Sequence, residues 1–80
     1  MPTVIKIGPW RFFFFSHEGQ EPAHIHVEGQ GCEAKFWLAD VTLASSYGLR
    51  PHDIHKLAEL VRQNRELFLE AWHEHFDGNA

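Results

Sequence analysis

The stretch from His24 to Leu38 constrains this chain more than any other, because it reads as a β-hairpin whose register can be worked out from its side chains. Ile25 and Val27 are β-branched and alternate with His24, His26 and Glu28, so a strand is expected over 24–28. Ala34, Phe36 and Leu38 alternate in the same way with Glu33, Lys35 and Trp37, so another is expected over 32–38. Between them stands Gly29-Gln30-Gly31, and glycine tolerates the positive φ that tight hairpin turns require. Residues i and i+2 of a strand share a face. Ile25 and Val27 join Ala34, Phe36 and Leu38 on one face only if the loop holds an even number of residues. That predicts a two-residue turn at Gln30-Gly31 or Gly29-Gln30; a three-residue loop would set Ile25 beside Lys35. With an even loop, His26 lies across from Lys35 or Glu33, and His24 across from Trp37 or Lys35. One face is then apolar. The other carries His24, His26, Glu28, Glu33, Lys35 and Trp37.

Val4, Ile5 and Ile7 predict a first strand over 3–7, stopped at Gly8-Pro9. A second is expected over 10–16. Its run Phe12 to Phe15 lacks alternation, so both of its faces should be covered. His17 to Ala23 is polar, with Gly19 and Pro22, and reads as a loop. Val41 and Leu43 allow a short fifth strand over 41–44, and Tyr47-Gly48 a turn. Pro51 suits the first position of a helix and Asp53 its positive end. Arg50 is a poor N-cap, so that end is expected to fray. Ile54, Leu57, Ala58, Val61, Arg65, Phe68, Ala71 or Trp72, and Phe76 follow helical spacing, which predicts one long helix over 51–76, ending before Gly78. The expected fold class is α+β: a four- to five-stranded, mostly antiparallel sheet packed by one long C-terminal α-helix through Leu57, Val61, Phe68 and Trp72. With no repeat or linker, residues 1–80 read as a single domain.

Charge and cysteine content narrow the function classes. Seven Lys and Arg stand against eleven Asp and Glu, a formal charge of −4, so the chain lacks the global basic footprint of a nucleic-acid binder. A local basic site stays open. Apolar residues make up 44 %, which is globular rather than disordered composition. Cys32 is the single cysteine, which rules out an internal disulfide and fits a reducing compartment. The start lacks a signal-peptide core, and no apolar stretch approaches the ~20 residues of a membrane span. A soluble cytoplasmic protein is expected.

His24 and His26 carry the strongest chemical signal, since imidazole is the side chain that changes charge near neutral pH. In one reading they are the catalytic acid and base of a metal-independent RNA cleavage, for which no cofactor is needed. Lys35 and Arg11 would hold the phosphate, and Trp37 or Phe13 would stack a base. In a second, the His-x-His pair binds a metal ion with Glu28, Glu21 or His17 as further ligands; one cysteine cannot supply the usual thiolates of a structural zinc site. In a third, the aromatic and histidine face is a protein interface, and the histidines bond to Glu28, Glu33 or backbone and specify packing. A small partner or a second copy of the chain would bury it. His52, His55, His73 and His75 read as solvated helix residues, and Glu66, Glu70 and Glu74 as a solvated acidic stripe. No Ser-His-Asp triad, phosphate loop or dinucleotide fingerprint is present.

Several blocks together carry a resemblance that covers nearly the whole chain. They are Met1-Pro2-Thr3-Val4-Ile5, Arg11-Phe12-Phe13-Phe14-Phe15-Ser16, Pro22-Ala23-His24-Ile25-His26-Val27, Glu33-Ala34-Lys35-Phe36-Trp37-Leu38, and Asn64-Arg65-Glu66-Leu67-Phe68-Leu69-Glu70-Ala71-Trp72. With these the chain resembles the prokaryotic domain-of-unknown-function family 4160. That family usually has proline where Ala23 stands and often serine where Arg50 stands; neither departure touches the histidines or Lys35. The resemblance implies a gene often found beside that of a second small protein, of family 2442, in an arrangement like a toxin–antitoxin pair.

Overall fold

In the computed structural model, which describes residues 3–76, five strands precede two helices. They are β1 (Thr3–Ile7), β2 (Trp10–Phe13), β3 (His24–Gly29), β4 (Cys32–Trp37), β5 (Thr42–Tyr47), α1 (Pro51–Gln63) and α2 (Arg65–Phe76). The strands pair antiparallel in chain order, so the class is α+β. Gly29 pairs with Cys32, leaving Gln30-Gly31 as a two-residue turn with φ of 54° and 77°. Positive φ at both central residues is the type I′ geometry that matches strand twist. His26 falls opposite Lys35 and His24 opposite Trp37, one of the two even-loop registers.

The helices cover the apolar face. Ile25, Val27, Ala34, Phe36 and Leu38 are buried there with Phe12, Phe14, Leu57, Val61, Phe68 and Trp72. Phe12 stacks on Phe68 at 5.3 Å between ring centres, and Phe14 meets Trp72 edge-on at 5.5 Å. Phe13 is buried on the opposite face. The phenylalanine run is therefore covered on both sides, as its lack of alternation predicts. Each such ring stabilises the fold by roughly 1.5–3 kcal/mol through burial.

Three elements differ by more than one residue from the sequence-based expectation, while β3 and β4 each differ by one residue at their C-terminal end. The single helix expected over 51–76 is two helices, interrupted at Asn64. The Asn64 side-chain amide donates to the Leu60 carbonyl at 2.8 Å, and its backbone N–H is shared between Leu60 and Val61. Such side-chain competition bends helices. Arg65 then donates to the carbonyls of Leu38 (2.5 Å) and Ala39 (3.2 Å), which fastens the start of α2 to the end of β4. The strand expected over 10–16 ends at Phe13, because the chain turns between Phe15 and Glu18. The fifth strand runs 42–47 rather than 41–44: Val41 sits in the preceding turn at φ 54°, and Ala44 is an extra residue where the β4–β5 register shifts. At the start of α1, the Asp53 carboxylate accepts the Arg50 N–H at 3.2 Å, which secures the end expected to fray. Gly78, the expected helix stop, lies outside the described residues. No helix among the described residues is long and apolar enough to cross a membrane.

Candidate functional site

The sheet face away from the helices is a grid of cross-strand rows. One row aligns Phe13, His26, Lys35 and Ser45; the next aligns Arg11, Glu28, Glu33 and Tyr47. His24 and Trp37 begin a third row. The loop between β2 and β3 crosses this face and is anchored by two carboxylates. Glu21 accepts from Lys35 Nζ at 2.7 Å. Glu18 reaches both histidines.

Glu18 is the centre of the site. Its Oε1 accepts from the Phe15 N–H at 3.1 Å and lies 2.9 Å from His24 Nε2 and 3.0 Å from His26 Nε2. Its Oε2 lies 3.0 Å from the same His26 nitrogen. The two rings meet at right angles, 5.0 Å apart. His24 has no exposed surface; Trp72 packs against it at 4.8 Å and Trp37 at 5.6 Å. Phe13 stacks on His26 at 5.4 Å and Phe15 meets its edge at 4.9 Å. These aromatic contacts hold both rings in place.

The electrostatics follow from burial and these bonds. Burial works against the Glu18 charge, but the bonds from His24, His26 and the Phe15 N–H outweigh it and hold its pKa below the ordinary carboxyl value. Burial also holds the His26 pKa below the ordinary imidazole value, against the pull of Glu18. The Lys35 bond lowers the pKa of Glu21. His24 is defined by its two acceptors: Nδ1 lies 2.9 Å from the Pro22 carbonyl, which can only accept, so that nitrogen carries an N–H.

The residues singled out from sequence separate into two groups. His24 and His26 do converge, and their shared partner is Glu18 rather than Glu28, Glu21 or His17. Glu28 instead pairs with Arg11 at 2.6 Å. The Arg11 guanidinium also lies over the Phe13 ring at 4.3 Å, and Lys35 Nζ lies 4.6 Å from Trp37. Each cation proposed for phosphate thus already has a carboxylate. His75, expected to be solvated, packs against Phe14 at 5.3 Å. Glu18 escapes sequence reasoning because strand periodicity places strand residues and says nothing of where a loop side chain lands. Among the described residues, Glu18, His24 and His26 are also a set able to hold a metal ion, with ligand atoms all within 4.8 Å of one another.

Two cavities lie along this face. One of about 350 Å³ is bordered by Phe13, Phe15, His26, Lys35 and Ser45. The other, about 610 Å³, is bordered by Lys6, Trp10, Arg11, Glu28 and Cys32. Glu33 and Tyr47 line both.

Fold and site define a five-stranded meander, backed by helices on one face, with a carboxylate-bridged histidine pair on the other. The chain belongs to the domain of unknown function family DUF4160, whose family model matches residues 10–73. That span contains β2 to β5, α1, and all three residues of the cluster. No curated protein and no solved structure matches the chain.

Proposed function

We propose that this chain is the binding component of a two-protein, toxin–antitoxin-like module, and that its partner docks on the open sheet face. The observation that carries this reading is the groove made by the two cavities, which meet at Glu33 and Tyr47. Tyr47 is 69 % exposed, the largest exposure among the described large hydrophobics. Trp10, Phe15 and Arg11 also border the groove, and aromatic residues and arginine are the side chains that dominate binding energy at interfaces. The partner would be the small protein encoded alongside, as the family resemblance implies.

The same geometry weakens the RNA-cleavage reading. A catalytic acid or base must reach the proton it transfers. His24 has no exposed surface, and Nε2 of both histidines is turned to Glu18. Arg11 and Lys35 are bonded to carboxylates, and the chain as a whole carries −4.

The test is co-expression with the neighbouring gene product, with the complex measured by light scattering after size exclusion. Tyr47→Ala and Glu33→Lys should abolish the complex while leaving the melting temperature of the chain alone unchanged. A complex indifferent to both, or none with wild type, refutes the docking site. Growth arrest on inducing this chain alone, relieved by a folded His26→Ala variant, would instead restore the catalytic reading.

A further inference from the structure

We propose that Glu18, His24 and His26 form a binding site for one divalent transition-metal ion of the zinc class. The inference is independent of the docking reading above, since it rests on the cluster alone.

The first argument is the placement of donor atoms. Both Nε2 nitrogens lie 2.9–3.0 Å from Glu18 oxygens, and all three ligand atoms lie within 4.8 Å of one another. Zinc bonds to nitrogen and oxygen are about 2.0–2.2 Å long, so neighbouring ligand atoms around one ion stand roughly 3–3.5 Å apart. The histidine–glutamate separations already approach this spacing. The widest separation, up to 4.8 Å, is slightly more than the roughly 4.4 Å that two such bonds span, so the two imidazole nitrogens would draw together by about half an ångström as the ion binds. Two imidazoles and a carboxylate suit zinc, cobalt, nickel and ferrous ions.

The second argument is the orientation of His24. Metal-binding histidines almost always donate their other ring N–H to a carbonyl or carboxylate, which fixes the ring and leaves a lone pair facing the metal. His24 does this: its Nδ1–H goes to the Pro22 carbonyl at 2.9 Å. In the neutral ring, Nε2 is then a lone pair aimed at Glu18 Oε1, one acceptor facing another at 2.9 Å. That lone pair can ligate an ion shared with Glu18, and His26 presents its own Nε2 to the same carboxylate.

The third argument is rigidity. Trp72 and Trp37 wedge His24, and Phe13 and Phe15 hold His26 on two sides. The rings lose little freedom on binding, so more of the coordination energy appears as affinity. The exposed His52 on α1 has no such setting.

The test is a Zn²⁺ titration of the untagged chain, read by calorimetry and by the imidazole nitrogen resonances. Wild type should take up one equivalent, with the His24 and His26 Nε2 signals shifting and the melting temperature rising. His24→Ala is avoided because that ring is buried. Glu18→Gln and His26→Gln keep side-chain size and should weaken binding by roughly 100-fold or more. The double variant His52→Ala/His55→Ala should bind like wild type. The proposal is overturned if folded wild type shows no saturable uptake, if the two glutamine variants bind unchanged, or if the α1 double variant loses the site.

Discussion

Replacing Glu18 by glutamine probes the cluster most directly, because the side chain keeps its shape and loses only its charge and one acceptor oxygen. In wild type, the carboxylate receives the Phe15 N–H and the His26 Nε2–H, and its side chain is only 12 % exposed. Hydrogen bonds to a charged partner contribute about 1.5–3 kcal/mol, against about 0.5–1.5 kcal/mol between neutral groups. About 1 kcal/mol is thus lost at each of these two bonds, for a total of about 2 kcal/mol. In a domain of this size, each kcal/mol moves the melting temperature by roughly 4–8 °C, so a fall of roughly 8–16 °C is expected. Circular-dichroism melts at pH 7.5 with a chelator present measure it. The folded-state pKa of Glu18 is depressed, so its contribution is present above the unfolded carboxyl value and is lost as pH falls through the folded value. The gap between wild type and Glu18→Gln should therefore close below about pH 4. A variant that melts within about 3 °C of wild type at pH 7.5, or a gap that stays constant into acid, would refute the account of Glu18 as the charged hub.

Three further outcomes follow from packing, backbone and charge. Phe68→Ala removes a fully buried ring stacked on Phe12 and should cost about 3–5 kcal/mol, most of the stability of so small a domain, visible as collapse of amide dispersion in NMR spectra. Gly31→Ala should cost about 1–2 kcal/mol through φ of 77° alone, since its Cβ would meet nothing, whereas Gly29→Ala would drive a Cβ into the Pro9 carbonyl and to 2.8 Å from Trp10 and should be the costlier in urea unfolding. The His26 pKa is depressed in the fold, so wild-type stability should begin to fall as pH drops below about 6.5. In His26→Gln that first phase should be absent, and a melt series from pH 8 to pH 5 distinguishes the two.

The hairpin and its consequences were the legible part of the sequence. Alternation in 24–28 and 32–38 was enough to choose an even loop, and with it the His26–Lys35 and His24–Trp37 pairs. The helical face containing Leu57, Val61, Phe68 and Trp72 was equally readable, because each is buried at a position that the 3.6-residue period selects. The break at Asn64 was not. It depends on a side-chain bond to Leu60 and on Arg65 finding carbonyls at the end of β4, contacts that exist only after folding. The site divides in the same way. The histidine pair is a local pattern, whereas Glu18 joins it through the path of a loop, and the pairing of Arg11 with Glu28 across β2 and β3 needed a register that the hairpin alone does not supply.

The order of the sheet has a consequence for how the chain folds. Every strand pairs with its neighbour in sequence, so each rung closes only a short loop, and the sheet can assemble step by step at low entropic cost. The contacts of α2 with β2 and the residues just after it, Phe68 on Phe12 and Trp72 on Phe14, span more than fifty residues of sequence, so they carry the largest loop-closure cost in the domain. Until they form, a sheet bearing Phe12, Ile25, Val27 and Phe36 stands with its apolar side bare. On a ribosome this interval lasts until α2 has left the exit tunnel, so this part of the nascent chain is at its most aggregation-prone just before α2 emerges.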